Sequence, residues 1–255
     1  FDVLSWLSEQ ETALVRIKWD GGVAIAATAN GFAANQSKVD WQRETNRSIE
    51  KRIAFASDLI SQKLQNSIPT LEKFVPKSDL RDSAIAKANS GIEKLSVRLT
   101  DMQEVRAIEA VFGATYFRSW SAVKLDWQHS SKYPVPEHWL SYSYRSSLRD
   151  AKATNFGASD PVNAMLNYAY AILQSKLQIT AIADGYDPTI GIMHHAQKNN
   201  PAYVFDLMEP ERPKVDAKIL DFVSKMKFSG ADFTLNKSGV CRISPQLARA
   251  IATLV

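Results

Sequence analysis

Residues 185–216, GYDPTIGIMHHAQKNNPAYVFDLMEPERPKVD, gather imidazoles and carboxylates in one stretch. His194 and His195 follow a turn, Asp206 closes a short apolar run, and Glu209 and Glu211 stand just before a helix start. An imidazole and a carboxylate together are ligand types that Mn2+ accepts readily and Mg2+ tolerates. Two such groups do not hold an ion firmly, so a third acid must come from elsewhere in the chain, and the best candidate is Glu109. It neighbours Ile108 on a helical stripe shared with Phe112, at the margin of a buried face, where a carboxylate is either paired or functional. The plainer readings are an ion pair between Glu109 and Arg106, hydrogen-bonded loop histidines, and an acid cluster at residues 206–211 that favours a helix N-terminus.

The elements that must position these groups are mostly helical. Residues 1–34 read as strands: Ala13, Val15, Ile17 and Trp19 alternate with Leu14, Arg16 and Lys18, Asp20-Gly21-Gly22 signals a turn, and a second strand follows from Val23. Two strands alone are marginal, so this is expected to be a remnant or part of an N-terminal β module, residues 1–40. From Trp41 the period changes. Ile49, Ile53, Ala56, Ile60 and Leu64 form one helical stripe, with Pro69 expected to interrupt it and Pro76 to end the next piece. A helix over about 78–99 follows, and Thr100 and Gln103 have capping-box spacing for another that carries Met102, Val105, Ile108, Phe112 and Tyr116. Residues 126–157 read as a long, partly ordered loop with Trp139, Tyr142, Tyr144, Arg145 and Arg149. Asp160-Pro161 then caps a helix that is apolar nearly all round, as a central buried helix would be. Arg212-Pro213 and Ser244-Pro245 open two more, with a turn at 236–239 between short strands. The fold class expected is mainly α: a helical domain over 41–255 preceded by a small β-strand module.

The chain has 255 residues, of which 45% are hydrophobic, enough for one large core or two modest ones. No apolar run approaches the ~20 residues that cross a bilayer. The lone Cys241 excludes an internal disulfide framework and a thiolate zinc cluster, and fits a cytoplasmic location. A formal net charge of +4 permits binding to a polyanion without requiring it.

Several segments together resemble the CRISPR-associated adaptation integrase ("Cas-one") family. RAIEAVFGATYF is similar to its R-x-I-E-…-Y helix, and DPVNAMLNYAYAIL to its D-P-V-N-A-L-L-N-Y-x-Y central helix. GYDPTIGIMH is similar to its G-x-D-P-x-x-G-x-x-H turn, and VFDLMEPERPKVD to its D-L-x-E-x-x-R-P-x-x-D element. These motifs keep the family order over roughly residues 40–245, with weaker similarity at SGVCRIS. The sequence departs from the pattern at KATNFGASD before Pro161, where the family often carries arginines, and residues 126–150 have no counterpart.

The resemblance implies that Glu109, His194 and Glu209 are the catalytic metal ligands for Mg2+ or Mn2+, with Asp206 supporting or joining them. It places Arg106 near DNA phosphates, lets Arg212 contact either Glu209 or DNA, and gives Asn163, Asn167 and Tyr168 structural hydrogen bonds. Arg145, Arg149, Lys152 and Lys198 are further candidates for holding DNA, with ordinary solvated surface as the plainer reading. The implied activity is that of a divalent-metal-dependent DNA endonuclease and integrase that joins short spacer 3′-OH ends into a target, acting as a homodimer with a second adaptation protein. A 3′-OH attacking the phosphodiester joins strands and water nicks them, and the same ligands serve both. The competing expectations are a stand-alone or transposon-borne nuclease, and a non-catalytic DNA-binding scaffold of the same fold.

Overall fold

A computed structural model describes residues 3–10, 14–17, 23–27, 35–129, 131–142, 145, 157–195, 200–237 and 239–255. Its elements run α1 (Val3–Glu9), β1 (Leu14–Ile17), β2 (Val23–Ala27), α2 (Gln36–Arg47), α3 (Ile49–Phe74), α4 (Asp79–Ser96) and α5 (Met102–Ser119). They continue with β3 (Asp126–Trp127), α6 (Pro161–Ala183), α7 (Ala202–Met208), α8 (Arg212–Lys225), β4 (Lys227–Phe228), β5 (Phe233–Leu235), β6 (Cys241–Ile243) and α9 (Pro245–Leu254). The fold is mostly helical with a small N-terminal β region, as the periodicity predicts. β1 and β2 pair antiparallel. Val3–Glu9, by contrast, is a helix rather than a strand. Its apolar residues Val3, Leu4 and Leu7 fall at helical spacing, not at period two.

α3 continues through Pro69 to Phe74 instead of breaking there. Pro69 and Gln65, whose carbonyl loses its donor, both lie on the exposed side, where water can replace the missing bond. Leu64 and Leu71 are fully buried on either side of it and anchor the helix across the defect. The start of α5 also differs by one residue. Asp101, not Thr100, is the cap, and Glu104 closes the box by accepting from the Asp101 N–H at 3.2 Å.

α3, α4 and α5 pack side by side, and α3 also packs against α8. α4 approaches the other two helices through Gly91. A Cβ there would lie 2.4 Å from Leu64 Cδ2 on α3 and 3.1 Å from Ile108 Cγ2 on α5. The missing side chain therefore sets the spacing of the two helix segments that carry Lys63 and Glu109. α6 is the central helix. Asp160 caps it by accepting from the Asn163 N–H, and its buried residues include Val162, Met165, Leu166, Ala169 and Ile172.

Part of the predicted 126–157 loop is packed into the core. β3 pairs in parallel with β4, and Trp127, Trp139, Phe228 and Phe233 form one aromatic cluster with ring centroids 5.7–6.3 Å apart. Trp139 and Tyr142 are buried, so this segment closes one end of the core. β5 and β6 form an antiparallel pair, with Gly239 in the left-handed region at φ 78° where the turn was expected.

Gly91→Ala should lower stability by about 1–2 kcal/mol despite its better helix propensity, because the new methyl would meet Leu64 Cδ2 at 2.4 Å and force that fully buried side chain to shift. The urea midpoint reads this directly; an unchanged or higher midpoint would show that the α3–α4 contact relaxes freely.

Candidate metal centre

The histidine turn is built around a buried acid. Asp206, on α7, is fully buried, and its carboxylate accepts from the backbone N–H groups of Ile192 at 2.6 Å, Met193 at 3.1 Å and His194 at 2.9 Å. The same carboxylate lies 2.7 Å from His194 Nδ1. With Asp206 as acceptor, Nδ1 carries the proton and Nε2 carries the lone pair, which leaves Nε2 as the nitrogen that could bind a metal. Asp206 is thus the residue that orients the imidazole. Its oxygens are already committed to these contacts, which argues against a place among the ligands.

The other side of the turn is clamped by α2 and α3. The buried Gln42 amide donates to the carbonyls of Asp187 at 2.9 Å and Ile190 at 3.2 Å, and its oxygen accepts from the Asp187 N–H at 2.9 Å. Asn46 donates to the Gly191 carbonyl, and Arg52 Nε to that of Ile192 at 2.7 Å. Gly191 is pressed against α7; a Cβ there would lie 2.6 Å from Ala202 Cβ and 2.5 Å from the His194 carbonyl oxygen.

Glu109 and Glu209 meet on a residue that the sequence reading missed. Lys63 of α3 puts Nζ 2.6 Å from Glu109 Oε1 and 2.6 Å from Glu209 Oε2. The Glu209 side chain is only 2% exposed and also faces Arg212 Nη2 at 3.4 Å. Burial alone would raise the Glu209 pKa, but Arg212 and Lys63 outweigh it and hold the carboxyl at about 2. Burial would likewise lower the Lys63 pKa; Glu209 and Glu109 overcome this and keep it above the ordinary lysine value. One signal for Lys63 was present in the sequence. It lies four residues after buried Leu59, on the inner side of an amphipathic helix.

Glu109 therefore pairs with Lys63, not with Arg106. Arg106 Nη2 instead lies 3.1 Å from His195 Nε2, and both line an open cleft of about 350 Å³ with Glu109, Met193, His194 and Asn200. Arg212 is spent on Glu209 and stacks on Tyr170, 5.4 Å from the ring centre. Arg145 turns inward: its guanidinium donates to Asn163 Oδ1 at 3.2 Å and Asn167 Oδ1 at 2.8 Å on α6. Glu211 lies apart from the cleft residues, paired with Lys214 at 2.6 Å. Arg149, Lys152 and Lys198 lie outside the described residues.

Among the described residues, no three His, Cys, Asp or Glu side chains are gathered as a ready metal site. Two of the expected ligands nevertheless converge on one cation, the Lys63 ammonium, and the third lines the same cleft as Glu109. Two carboxylates and an imidazole Nε2 are a donor set that suits a hard divalent ion, so the residues fit the expected group.

Behind the cleft, buried Asp216 accepts from Tyr116 Oη at 3.0 Å and from Tyr170 Oη, the ring on which Arg212 stacks. Burial pushes the Asp216 carboxyl up to about 6, the two tyrosine hydrogen bonds only partly offsetting it.

The family model for CRISPR associated protein Cas1 matches residues 1–255, and the chain belongs to that family. It is 25% identical over 255 residues to "CRISPR-associated endonuclease Cas1 1" of Methanospirillum hungatei, covering 96% of this chain and 71% of that protein. It is also 25% identical over 199 residues to "CRISPR-associated endonuclease Cas1" of Leptospira interrogans, covering 75% of this chain and 70% of that one. Among solved structures, a CAS1 protein from Thermotoga maritima superposes with a TM-score of 0.73 at 15% identity, over 98% of this chain and 72% of that one. A casposase bound to integration product superposes with a TM-score of 0.68 at 20% identity, over 100% of this chain and 69% of that one. At these identities the structural matches establish a shared fold.

Asp206→Ala leaves the buried N–H groups of Ile192 and Met193 and the part-buried N–H of His194 without their acceptor and should cost about 3 kcal/mol or more, read as a lowered denaturation midpoint. Asp216 gives a pH signature. Between about pH 4 and pH 6 the folded chain keeps a proton on Asp216 that the unfolded chain releases, so this group's contribution to stability falls as pH rises through that window. Asp216→Asn should remove this slope, worth roughly 2–3 kcal/mol across the window. The check is a series of denaturation curves from pH 4 to 7; an unchanged slope would assign it to other groups.

Proposed function

We propose that this chain is a divalent-metal-dependent DNA endonuclease and integrase, and that Glu109, His194 and Glu209 hold Mg2+ or Mn2+ in its active site. The observation that carries this reading is the convergence of Glu109 and Glu209 on one cation, together with a histidine that lines the same cleft as Glu109 and whose Nδ1 faces Asp206. An ion held there would neutralise charge developing on a phosphodiester and acidify an attacking hydroxyl.

The chain's own residues do the rest. Arg212 keeps Glu209 ionised in a nearly dry position. Arg106, at the margin of the cleft, offers a fixed positive charge to a phosphate on the strand being cut or joined. Asp206 and the carbonyl clamps from Gln42, Asn46 and Arg52 hold the imidazole still while DNA is exchanged. The biological reading is spacer integration in CRISPR adaptation, by a homodimer with a second adaptation protein. Membership of the Cas1 family supports it, as does a superposition of TM-score 0.69 with a partial Cas6-RT-Cas1--Cas2 complex, an assembly that holds the two proteins together. Among the described residues, no helix is long and apolar enough to cross a membrane.

The test is strand transfer from a short duplex with a free 3′-OH into a supercoiled plasmid, with Mg2+, Mn2+ or EDTA. Joining should require the metal and fall by at least about 100-fold in Glu109→Ala and His194→Ala, with DNA binding retained. Nicking without joining would favour a stand-alone nuclease, or a requirement for the second adaptation protein. Metal-independent behaviour identical in the variants would leave a DNA-binding scaffold.

A further inference from the structure

The two carboxylates of the proposed site converge on an ammonium group supplied by the chain itself. Lys63 reaches that point from α3, and its side chain is 14% exposed, so little water shares the position. The segment bearing Glu209 is held against the same helix. Asn66 Nδ2 donates to the Pro210 carbonyl at 2.8 Å, and Thr70 Oγ1 to that of Pro213 at 2.9 Å. Lys63, Asn66 and Thr70 recur at three- and four-residue spacing, so one face of α3 grips residues 209–213 along its length. Glu209 is thereby fixed through its backbone and through Arg212, independently of Lys63. The part of this arrangement most able to move is the lysine, a flexible four-carbon stem ending in a point charge.

A divalent ion bound between Glu109 and Glu209 would sit where Nζ now sits. Positive charges at such short range repel strongly when water is scarce. The two cannot share the position.

We propose that Lys63 is a built-in counterion: a positioning residue that holds Glu109 and Glu209 together in the metal-free site and whose ammonium group is displaced when a divalent ion binds. The inference rests on the metal site of the proposed function. It adds that binding is an exchange of cations, with the carboxylates prearranged and Lys63 released toward the cleft. Prearrangement matters because two carboxylates this close, one of them almost fully buried, would drive each other apart without a cation. The internal cation keeps them close, while competing with the ion for them.

The experiment measures Mn2+ binding to the whole chain without DNA, by the electron paramagnetic resonance signal of free Mn2+, in the wild type, Lys63→Met and Glu109→Gln. Removing the competing charge should tighten Mn2+ binding at least about tenfold in Lys63→Met. The metal-free variant should melt below the wild type, and Mn2+ should raise its midpoint by more. Binding equal to or weaker than wild type would overturn the exchange and make Lys63 a support for the loaded site. If Glu109→Gln leaves Mn2+ binding unchanged, the metal site itself is wrong and the inference falls with it. Should Lys63→Met fail to fold, the wild type still decides. Reductive methylation of Lys63, followed by mass spectrometry, should be slow without metal and accelerate in saturating Mg2+. An unchanged rate would refute the release of Lys63.

Discussion

Carboxylates drawn from distant helices do not share a nearly dry position unless positive charge comes with them, and much of the architecture around the cleft serves that requirement. Lys63 is placed between Glu109 and Glu209, and Arg212 backs Glu209 from the other side. Each cation depends on a different helix contact. Lys63 depends on the close packing of α3, α4 and α5 that Gly91 permits, and Arg212 on the start of α8. A shift of either helix would leave a buried charge uncompensated, which is far more damaging than the loss of an exposed ion pair. The geometry of the site and the stability of the bundle are therefore hard to separate.

The histidine side of the cleft is organised by hydrogen bonds instead. Loop 187–194 has no regular ladder for its backbone groups, and side chains from the neighbouring helices take over that role. Asp206 accepts the N–H groups of Ile192, Met193 and His194, while Gln42, Asn46 and Arg52 donate to carbonyls in the same loop. Every one of these partners comes from a helix, so an irregular segment is held by rigid elements. The carboxylate that orients His194 also holds its backbone, and a change at Asp206 disturbs orientation and fold together.

A further polar layer joins α5, α6 and α8. Tyr116 and Tyr170 share Asp216, Tyr170 lies under Arg212, and Arg145 packs over Tyr170 and Phe117 while donating to Asn163 and Asn167. This layer explains why a helix apolar nearly all round still carries two asparagines. They receive an arginine that would otherwise have to stay at the surface. It also links Arg212, which touches Glu209, to the centre of the domain through a stacked ring rather than through another charge.

Much of the helical framework was legible in the sequence because its signals are local. Asp160-Pro161 and Ser244-Pro245 mark helix starts by capping chemistry, and the apolar stripes of α3, α4 and α5 follow from period alone. Where local signals misled, packing decided. Pro69 did not break α3, since Leu64 and Leu71 anchor it from both sides and the defect faces water. The types of the candidate ligands, Glu109, His194 and Glu209, could be read from motifs. For the lysine between the two acids, only its place on the inner side of α3 was legible; its pairing with them was not, because a charge partner is set by which helix faces which, and that distance is fixed only when the bundle closes. The same reason separates Asp206 from Glu209, two acids three residues apart. One is turned toward backbone N–H groups and the other toward cations, and only the tertiary structure decides which environment each carboxylate meets.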